Sequence, residues 1–311
     1  MSAIDRRRFL QTAAGLAVGA GLGSFYTARS SALELDAGKP NKGMPTRRLG
    51  KTGYEASIFS LGGMFLIMER EHRDEVHRII NRALDLGVNY IDTAASYRNG
   101  ESELNIGEVL KDRRDEVFIA TKTRQREAGG LIDQEFNMSS ERLQTDFIDL
   151  YFLHGVNSMG DLDAVLDRDG GAITAFEHLK DQGRIGHIGV SSHCSAVLME
   201  AMERYDFDCI FITLNPAGFA MDHPEKLRDM LAMAKDKDIG AVGMKVVGAG
   251  RLPGEGIPMK DALGYALSLP IATANIGISA MEHMEENVQL AKDFRPMDEE
   301  QLAQLEYLAR A

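Results

Sequence analysis

Four polar residues in the first half of the chain stand where short apolar runs stop. Asp92 lies near the end of the run VNYIDTA, and Tyr97 follows on the next loop. Lys122 ends VFIATK, and His154 ends IDLYFLH. An acid, a phenol, an amine and an imidazole at the ends of successive buried strands would meet on one face of a barrel. Such a set suits the transfer of a proton while another group moves the electrons.

Tyr97 is the candidate proton donor in this set. A free phenol has a pKa of about 10, which is too high for ready proton release at neutral pH. A nearby ammonium lowers that pKa, and Lys122 can supply one. Asp92 can hold Lys122 charged and oriented, and His154 can donate to a substrate carbonyl oxygen. None of these groups delivers a hydride, so a nicotinamide cofactor must supply it.

Each of these residues also has an ordinary structural explanation when it is taken alone. An Asp before Thr is often a cap, and a Tyr in a loop is usually an amphipathic surface residue. A Lys at a strand end usually extends to water, and a His there is more often a hydrogen-bonded core residue. Their joint placement at the ends of the second, third and fourth strands favours a catalytic site.

The elements that must position these residues can be predicted from hydrophobic periodicity. From Thr46 onward, eight strand-like runs each precede a helical pattern: SIFSLGG, VNYIDTA, EVFIATK, IDLYFLH, HIGVSS, DCIFITLNP, IGAVGMKVV and ATANIGIS. Strands alternating with helices imply a parallel sheet. Eight units in about 250 residues predict an α/β fold with a single (β/α)8 TIM barrel. We also predict an N-terminal β-hairpin around Lys51-Thr52-Gly53, capping the opposite end, and an extra C-terminal helix in DEEQLAQLEYLARA.

Composition narrows the class of protein. The chain has 311 residues and a net charge of −12 at pH 7, with acids and bases interspersed, which argues against nucleic-acid binding. Cys194 and Cys209 lack metal-ligand spacing and are either free thiols or one disulfide. A metal-dependent hydrolase would need clustered ligands at strand ends. Only His154, His193 and Asp92 qualify, so no metal site is predicted.

The first residues differ from the rest of the chain. DRRRFLQ has the twin-arginine pattern at Arg6-Arg7, and the apolar stretch TAAGLAVGAGLGSF follows it. That stretch is shorter than the ~20 residues of a membrane span. We predict a twin-arginine (Tat) signal peptide at 1–32, a linker at 33–45 and a barrel at 46–311. The signal would direct export to the periplasm through the Tat machinery. An uncleaved membrane anchor and a disordered basic tail are the alternatives.

From about Met44 to the C-terminus, the chain resembles the aldo-keto reductase family. The specific pieces are RRLGKTGYEASIFSLGG, YIDTAASYRNGESELNIGEVL, FIATKT, DLYFLHG, GRIGHIGVSS, GMKVVGAGRL and GISAMEHMEEN, in matching order and spacing. The resemblance implies an NAD(P)H-dependent oxidoreductase that reduces aldehyde or ketone carbonyls. It assigns the catalytic roles to Asp92, Tyr97, Lys122 and His154, with Tyr97 as the general acid.

The same resemblance suggests where a cofactor would bind. Ser191 matches the family's Ser-Asn pair, whereas Ser192 stands for the Asn and Phe211 stands for a Gln. Met244 replaces the aromatic residue that stacks on the nicotinamide, and Lys245 follows it. The segment for the adenosine half contains Gly277, Ser279, His283, Glu286 and Asn287. The resemblance implies NADP(H) as the cofactor. The bases that usually clamp a 2′-phosphate are weak here, so NAD(H) is the alternative.

A second function remains open at this point. The altered carboxamide anchors and the predicted export would also suit a weakly active or silent homologue that binds nucleotide or a partner. The complete set of four catalytic residues argues against that alternative. For the enzyme we expect a monomer and a small carbonyl substrate. The walls of its pocket would come from Met64, Phe65, the long loop from Val156 to Gly171 and the C-terminal segment.

Overall fold

All eight apolar runs form strands in the computed structural model, which describes residues 42–310. The strands are β1 (Thr46–Arg48), β2 (Glu55–Ser57), β3 (Phe59–Phe65), β4 (Tyr90–Asp92), β5 (Phe118–Thr123), β6 (Ile148–Leu153), β7 (Ile185–Ser192), β8 (Cys209–Thr213), β9 (Gly240–Met244) and β10 (Thr273–Ile278). Strands β3 to β10 pair in chain order, and β10 pairs with β3 to close a parallel barrel. The predicted (β/α)8 barrel is therefore confirmed. The predicted signal peptide and the linker up to residue 41 lie outside the described residues.

Helices surround the barrel and alternate with its strands. They are α1 (Arg73–Asp85), α2 (Glu101–Arg113), α3 (Gly130–Arg142), α4 (Met159–Leu166), α5 (Ala172–Asp181), α6 (Ser195–Arg204), α7 (Leu227–Asp236), α8 (Arg251–Gly254), α9 (Met259–Ser268), α10 (Met281–Lys292) and α11 (Glu299–Arg310). Within residues 42–310, no helix is long and apolar enough to cross a membrane. The extra C-terminal helix is present as α11, and its Leu302 and Leu305 are buried.

Helix α4 corrects one prediction, because it lies within the segment from Val156 to Gly171 that we expected to be a loop. Ser158 stands directly before it, and its hydroxyl accepts a hydrogen bond from the backbone N–H of Asp161 at 3.0 Å. This bond satisfies one of the free donors at the start of the helix. The prediction therefore missed a short helix with Ser158 as its N-cap.

The interior of the barrel forms its own apolar cluster, separate from the larger layer between strands and helices. Its members are Leu49, Ala56, Tyr90, Phe118, Ala120, Leu150, Phe152, Cys209, Phe211, Val242 and Ala272. Side chains alternate between the two faces of a strand. Phe118 and Ala120 of β5 point inward, and Lys122 therefore points inward as well. Cys209 and Cys194 are both free and buried.

The predicted hairpin closes one end of the barrel. Strands β1 and β2 pair antiparallel, with Thr46 opposite Ser57. Between them, Leu49 is fully buried and belongs to the interior cluster. Gly50 has a φ of +51°, and a Cβ there would lie 2.2 Å from the backbone N of Gly240. This close approach requires glycine, and it seals the end of the barrel opposite to the carboxyl ends of the strands.

Candidate active site

The structure brings the four predicted catalytic residues together at the carboxyl end of the barrel. Asp92 is the last residue of β4, Lys122 lies near the end of β5, and His154 directly follows β6. These three strands are neighbours, with Asp92 opposite Ala120 and Lys122 opposite Phe152. The parallel arrangement alone therefore places their side chains at one mouth.

Asp92 and Lys122 form a buried ion pair. The Lys122 ammonium donates to Oδ2 of Asp92, and it also donates to the backbone oxygen of Thr93 at 2.7 Å. Both side chains are only 1% exposed. Burial raises the pKa of Asp92 to about 6 and lowers the pKa of Lys122, while their mutual attraction opposes both shifts. At pH 7 the carboxylate is thus still ionised and holds the ammonium in place.

Tyr97 is presented by a tight turn that follows β4. The turn spans Tyr97–Gly100 and holds Arg98 and Asn99 in the left-handed region, with φ values of 48° and 55°. Such conformations are costly for residues other than glycine and persist where the surroundings enforce them. Here Arg98 forms an ion pair with Glu69, and a Cβ at Gly100 would lie 2.4 Å from the guanidinium of Arg142. These contacts fix the turn and with it the phenol.

The Lys122 ammonium contacts the ring of Tyr97 and not its hydroxyl. The distance from Nζ to the ring centroid is 5.2 Å. Burial, followed by the charge of Asp92, raises the pKa of the Tyr97 phenol, while Arg124 lowers it. We expected Lys122 to lower this pKa, but burial outweighs any such effect in the protein without ligands. The phenol therefore keeps its proton at neutral pH, which is the state that a general acid requires.

His154 stands beside the phenol in its neutral form. Its ring meets the Tyr97 ring edge to face, with centroids 5.9 Å apart. Burial, followed by the charges of Lys122 and Arg124, lowers the pKa of His154 to about 2. Its backbone oxygen accepts a hydrogen bond from Arg126 at 3.0 Å, which ties down the loop after β6. A neutral imidazole in this position can donate one hydrogen bond without bringing another charge into the site.

The two predicted serine ligands end β7 at the same mouth. The Ser191 hydroxyl accepts from the backbone N–H of Gly155 at 2.8 Å and lies 3.3 Å from the oxygen of Leu153. The Ser192 hydroxyl accepts from the backbone N–H of Cys194 at 2.9 Å. Both side chains are buried. They lie at the mouth where cofactor ligands were predicted, and both hydroxyls also stabilise neighbouring loops.

Lys245 has the properties of a ligand for an anion. Met244 ends β9, and Lys245 follows with a φ of 53° and a half-buried side chain. Its backbone oxygen accepts a hydrogen bond from the side chain of Asn215 at 3.3 Å. Among residues 42–310, no carboxylate forms an ion pair with its ammonium. A half-buried cation left without a counter-ion suits a phosphate group.

The remaining predicted cofactor ligands surround the start of α10. Gly277 lies in β10, and the hydroxyl of Ser279 is 2.9 Å from Nδ1 of His283. Further along α10, Glu286 is exposed and Asn287 is buried. The N-terminus of a helix attracts anions, so this end of α10 also fits a phosphate-bearing ligand.

An aromatic residue that we had placed in the pocket wall lies against this segment. Phe65, at the end of β3, has a φ of 60° and is 44% exposed. Its ring lies so close to Gly277 that a Cβ there would be 2.4 Å from a ring carbon. Because Gly277 has no side chain, the Phe65 ring can pack against it at the mouth where the predicted ligands lie.

The contacts of two aromatic rings with Lys122 were not predicted, although Phe211 had been named as the residue in place of a family Gln. Its ammonium lies 4.9 Å from the ring centroid of Phe211 and 6.0 Å from that of Phe152. Strand parity could have identified Phe152, because it lies two residues before His154 and shares its inward face. Phe211 lies across the barrel from Lys122, and no local pattern connects the two.

Comparison with known proteins identifies the family. The model of the aldo/keto reductase family matches residues 59–264. The uncharacterized oxidoreductase YqkF of Bacillus subtilis is 26% identical over 304 residues, covering 83% of this chain and 94% of that protein. Aldo-keto reductase yakc [NADP(+)] of Schizosaccharomyces pombe is 25% identical over 224 residues, covering 68% of this chain and 63% of that protein. The holo form of the aldo-keto reductase AKR11C1 from Bacillus halodurans is 28% identical with a TM-score of 0.71, covering 86% of this chain and 97% of that one. The chain therefore belongs to the aldo/keto reductase family.

Proposed function

We propose that this protein reduces the carbonyl group of small aldehydes or ketones with NADPH, and that Tyr97 is the general acid. The observation that carries this proposal is the arrangement of the buried Asp92–Lys122 pair against the ring of a protonated Tyr97, with neutral His154 beside it. These groups supply a proton donor, a cation for the phenolate that remains and a donor for the carbonyl oxygen. They match the needs of carbonyl reduction better than those of hydrolysis.

The chain offers a set of ligands that fits a dinucleotide phosphate. Lys245 is a half-buried cation without a counter-ion in the described part of the chain, and the start of α10 provides free backbone N–H groups. The name of the yeast relative includes NADP(+), and this supports the same cofactor here. When bound, the reduced nicotinamide would supply a hydride to the carbonyl carbon.

The protein's own groups account for the movement of the proton. His154 orients the substrate by donating to its carbonyl oxygen. As the carbon receives the hydride, Tyr97 gives its proton to that oxygen, so that the products are an alcohol and a tyrosinate. Lys122 stabilises the negative charge on the phenolate, and Asp92 keeps Lys122 charged. Water then returns the proton to Tyr97 and restores the starting state.

Fluorescence titration with NADPH and NADH at pH 6 and pH 8, followed by turnover on a panel of small aldehydes and quinones, tests this function. We expect binding of both cofactors with only a modest preference for NADPH, because His283 is the only basic side chain in the first turn of α10. A strong preference for NADPH at both pH values would show that another base, such as Lys245 or Arg251, holds the 2′-phosphate. Binding of nucleotide without turnover on any substrate would favour a silent homologue.

The Asp92–Lys122 pair predicts an acid limit to activity. Because the pKa of Asp92 is raised to about 6, lowering the pH through this value protonates the carboxylate. Lys122 then loses its counter-ion, and we expect kcat to fall by about tenfold per pH unit below that point, as for one required ionisation. The profile of kcat between pH 4.5 and pH 8 measures this, with Asp92→Asn as the comparison. A wild-type kcat that stays constant down to pH 5 would contradict the assignment.

We also propose that residues 1–32 direct export of the protein by the Tat machinery. The support comes from the sequence alone, in which Arg6-Arg7 precedes a weakly apolar stretch. Replacing both residues, Arg6→Lys with Arg7→Lys, should leave the precursor in the cytoplasm, whereas Arg29→Lys should not. Cell fractionation with immunoblotting measures both, and an unchanged periplasmic band in the double variant would contradict the proposal. Detection of full-length protein in washed membranes would indicate an uncleaved anchor instead.

A further inference from the structure

The Lys122 ammonium lies in an aromatic cage of three rings, two from strands β6 and β8 and one from the turn after β4. The rings of Phe211, Tyr97 and Phe152 have centroids 4.9, 5.2 and 6.0 Å from Nζ. Cations are attracted to aromatic faces within about 6 Å of the centroid, and more strongly where water is excluded. Lys122 is only 1% exposed, so these faces replace part of the water that an ammonium would otherwise bind.

Phe211 is the ring closest to the ammonium and the one that comes from furthest away. It belongs to β8, whereas Lys122 belongs to β5, and β6 and β7 lie between these strands in the barrel. The ring of Phe211 is 2% exposed and lies 5.6 Å from that of Phe152, centroid to centroid. The ammonium donates hydrogen bonds to Asp92 and to the backbone oxygen of Thr93, and the ring of Phe211 lies within cation–π distance of it.

A glycine in the intervening strand makes this contact possible. Gly189 of β7 lies opposite Phe152 of β6 and Cys209 of β8. A Cβ at Gly189 would lie 2.4 Å from two ring carbons of Phe152. Any larger residue would push the Phe152 ring away from its place between β6 and β8. The missing side chain allows the two phenylalanine rings to pack together beneath Lys122.

We propose that Phe211 is a positioning residue of the carbonyl reductase, which holds the Lys122 ammonium charged and directed towards Asp92 through the face of its ring. This inference rests on the proposed function for its catalytic consequence, but the contact itself can be measured without turnover. Phe211 has no polar atom and takes no part in the transfer of the proton. It acts through Lys122, whose positive charge stabilises the phenolate that remains when Tyr97 gives up its proton.

Fluorinated phenylalanines separate the electrostatic effect of the ring from its shape. Fluorine withdraws electron density from the ring face and changes its size little, so each added fluorine weakens the attraction for a cation. Phenylalanines with one, two or three ring fluorines would be incorporated at position 211 of the full chain. Phe176 is the matched control, because it is fully buried and stacks on Tyr151 at 4.6 Å, and among the described residues no cation lies over its ring.

The readout is the titration of Lys122 itself, observed by NMR with carbon-13 at its Cε and assigned with Lys122→Arg. The other titratable groups near Lys122 are Asp92, Tyr97, His154 and Glu103. Because burial lowers the pKa of Lys122, its Cε signal is followed from pH 6 to pH 11. Loss of the ammonium's own proton shifts this carbon far more than titration of a neighbouring group does, so the main inflection reports on Lys122.

We expect the pKa of Lys122 to fall with each fluorine at position 211, in total by roughly half a unit to one unit, and to stay constant in the Phe176 series. In an active enzyme kcat at pH 8 should fall by roughly three- to tenfold. A Lys122 pKa that is the same at every level of fluorination would overturn the proposal. Since the titration needs no substrate, absence of turnover would refute the reductase function and leave this inference standing.

Discussion

The variant Tyr97→Phe should lose carbonyl reduction almost completely while its affinity for nucleotide stays nearly unchanged. The change deletes the hydroxyl that donates the proton and keeps the ring, whose centroid lies 5.2 Å from the Lys122 ammonium and 5.9 Å from the His154 ring. General acid catalysis is typically worth 10²–10⁴-fold in rate, or roughly 3–5 kcal/mol of transition-state stabilisation. We expect kcat to fall by about this factor.

Steady-state turnover of the best substrate from the panel, together with fluorescence titration of NADPH, measures both parts of this expectation. Tyr265→Phe is the matched control, because its hydroxyl donates to Glu306 on the outside of the barrel at 2.7 Å. That variant should keep full activity. If Tyr97→Phe also kept full activity, Tyr97 would not be the proton donor, and another group would have to be sought.

The variant Lys122→Met should be both inactive and much less stable. Asp92 is 1% exposed, and it would be left with a buried charge and no counter-ion. Breaking a buried ion pair in this way typically costs about 3–5 kcal/mol. The carboxyl group responds by binding a proton more tightly, so its pKa rises further above that of the unfolded chain. Binding of this proton stabilises the folded variant at low pH, and that stabilisation is lost as the pH rises. The decrease in the free energy of unfolding relative to wild type should therefore be larger at pH 8 than at pH 5.

Urea unfolding at both pH values measures this difference. The double variant Lys122→Met with Asp92→Asn removes both charges, and we expect it to recover most of the stability at pH 8 while remaining inactive. Arg48→Met is the matched control, because Arg48 pairs with Asp238 on the surface and both side chains are about half exposed. It should cost about 1 kcal/mol or less. Equal losses at pH 5 and pH 8 for Lys122→Met would show that packing, and not the buried charge, explains the instability.

The positions of the four candidate catalytic residues could be predicted because a strand end is a local feature of the sequence. Apolar runs end at or near Asp92, Lys122 and His154, and parallel strands bring their carboxyl ends to one mouth. The same reasoning predicted the hairpin of β1 and β2 and the terminal helix α11. The prediction failed at α4. Ser158 caps this short helix within the segment from Val156 to Gly171, where we expected a loop.

Only the tertiary structure decided how these residues interact. Whether the pKa of Tyr97 is raised or lowered depends on its burial and on which charged groups lie near its hydroxyl. Neither quantity follows from residue type or spacing. The aromatic cage depends on contacts between β5, β6 and β8, and on the absence of a side chain at Gly189. Such contacts join residues far apart in the chain, and they are set by the closure of the barrel. The sequence by itself therefore determined which groups meet at the mouth, whereas the packing of the closed barrel decided their charge states and their partners.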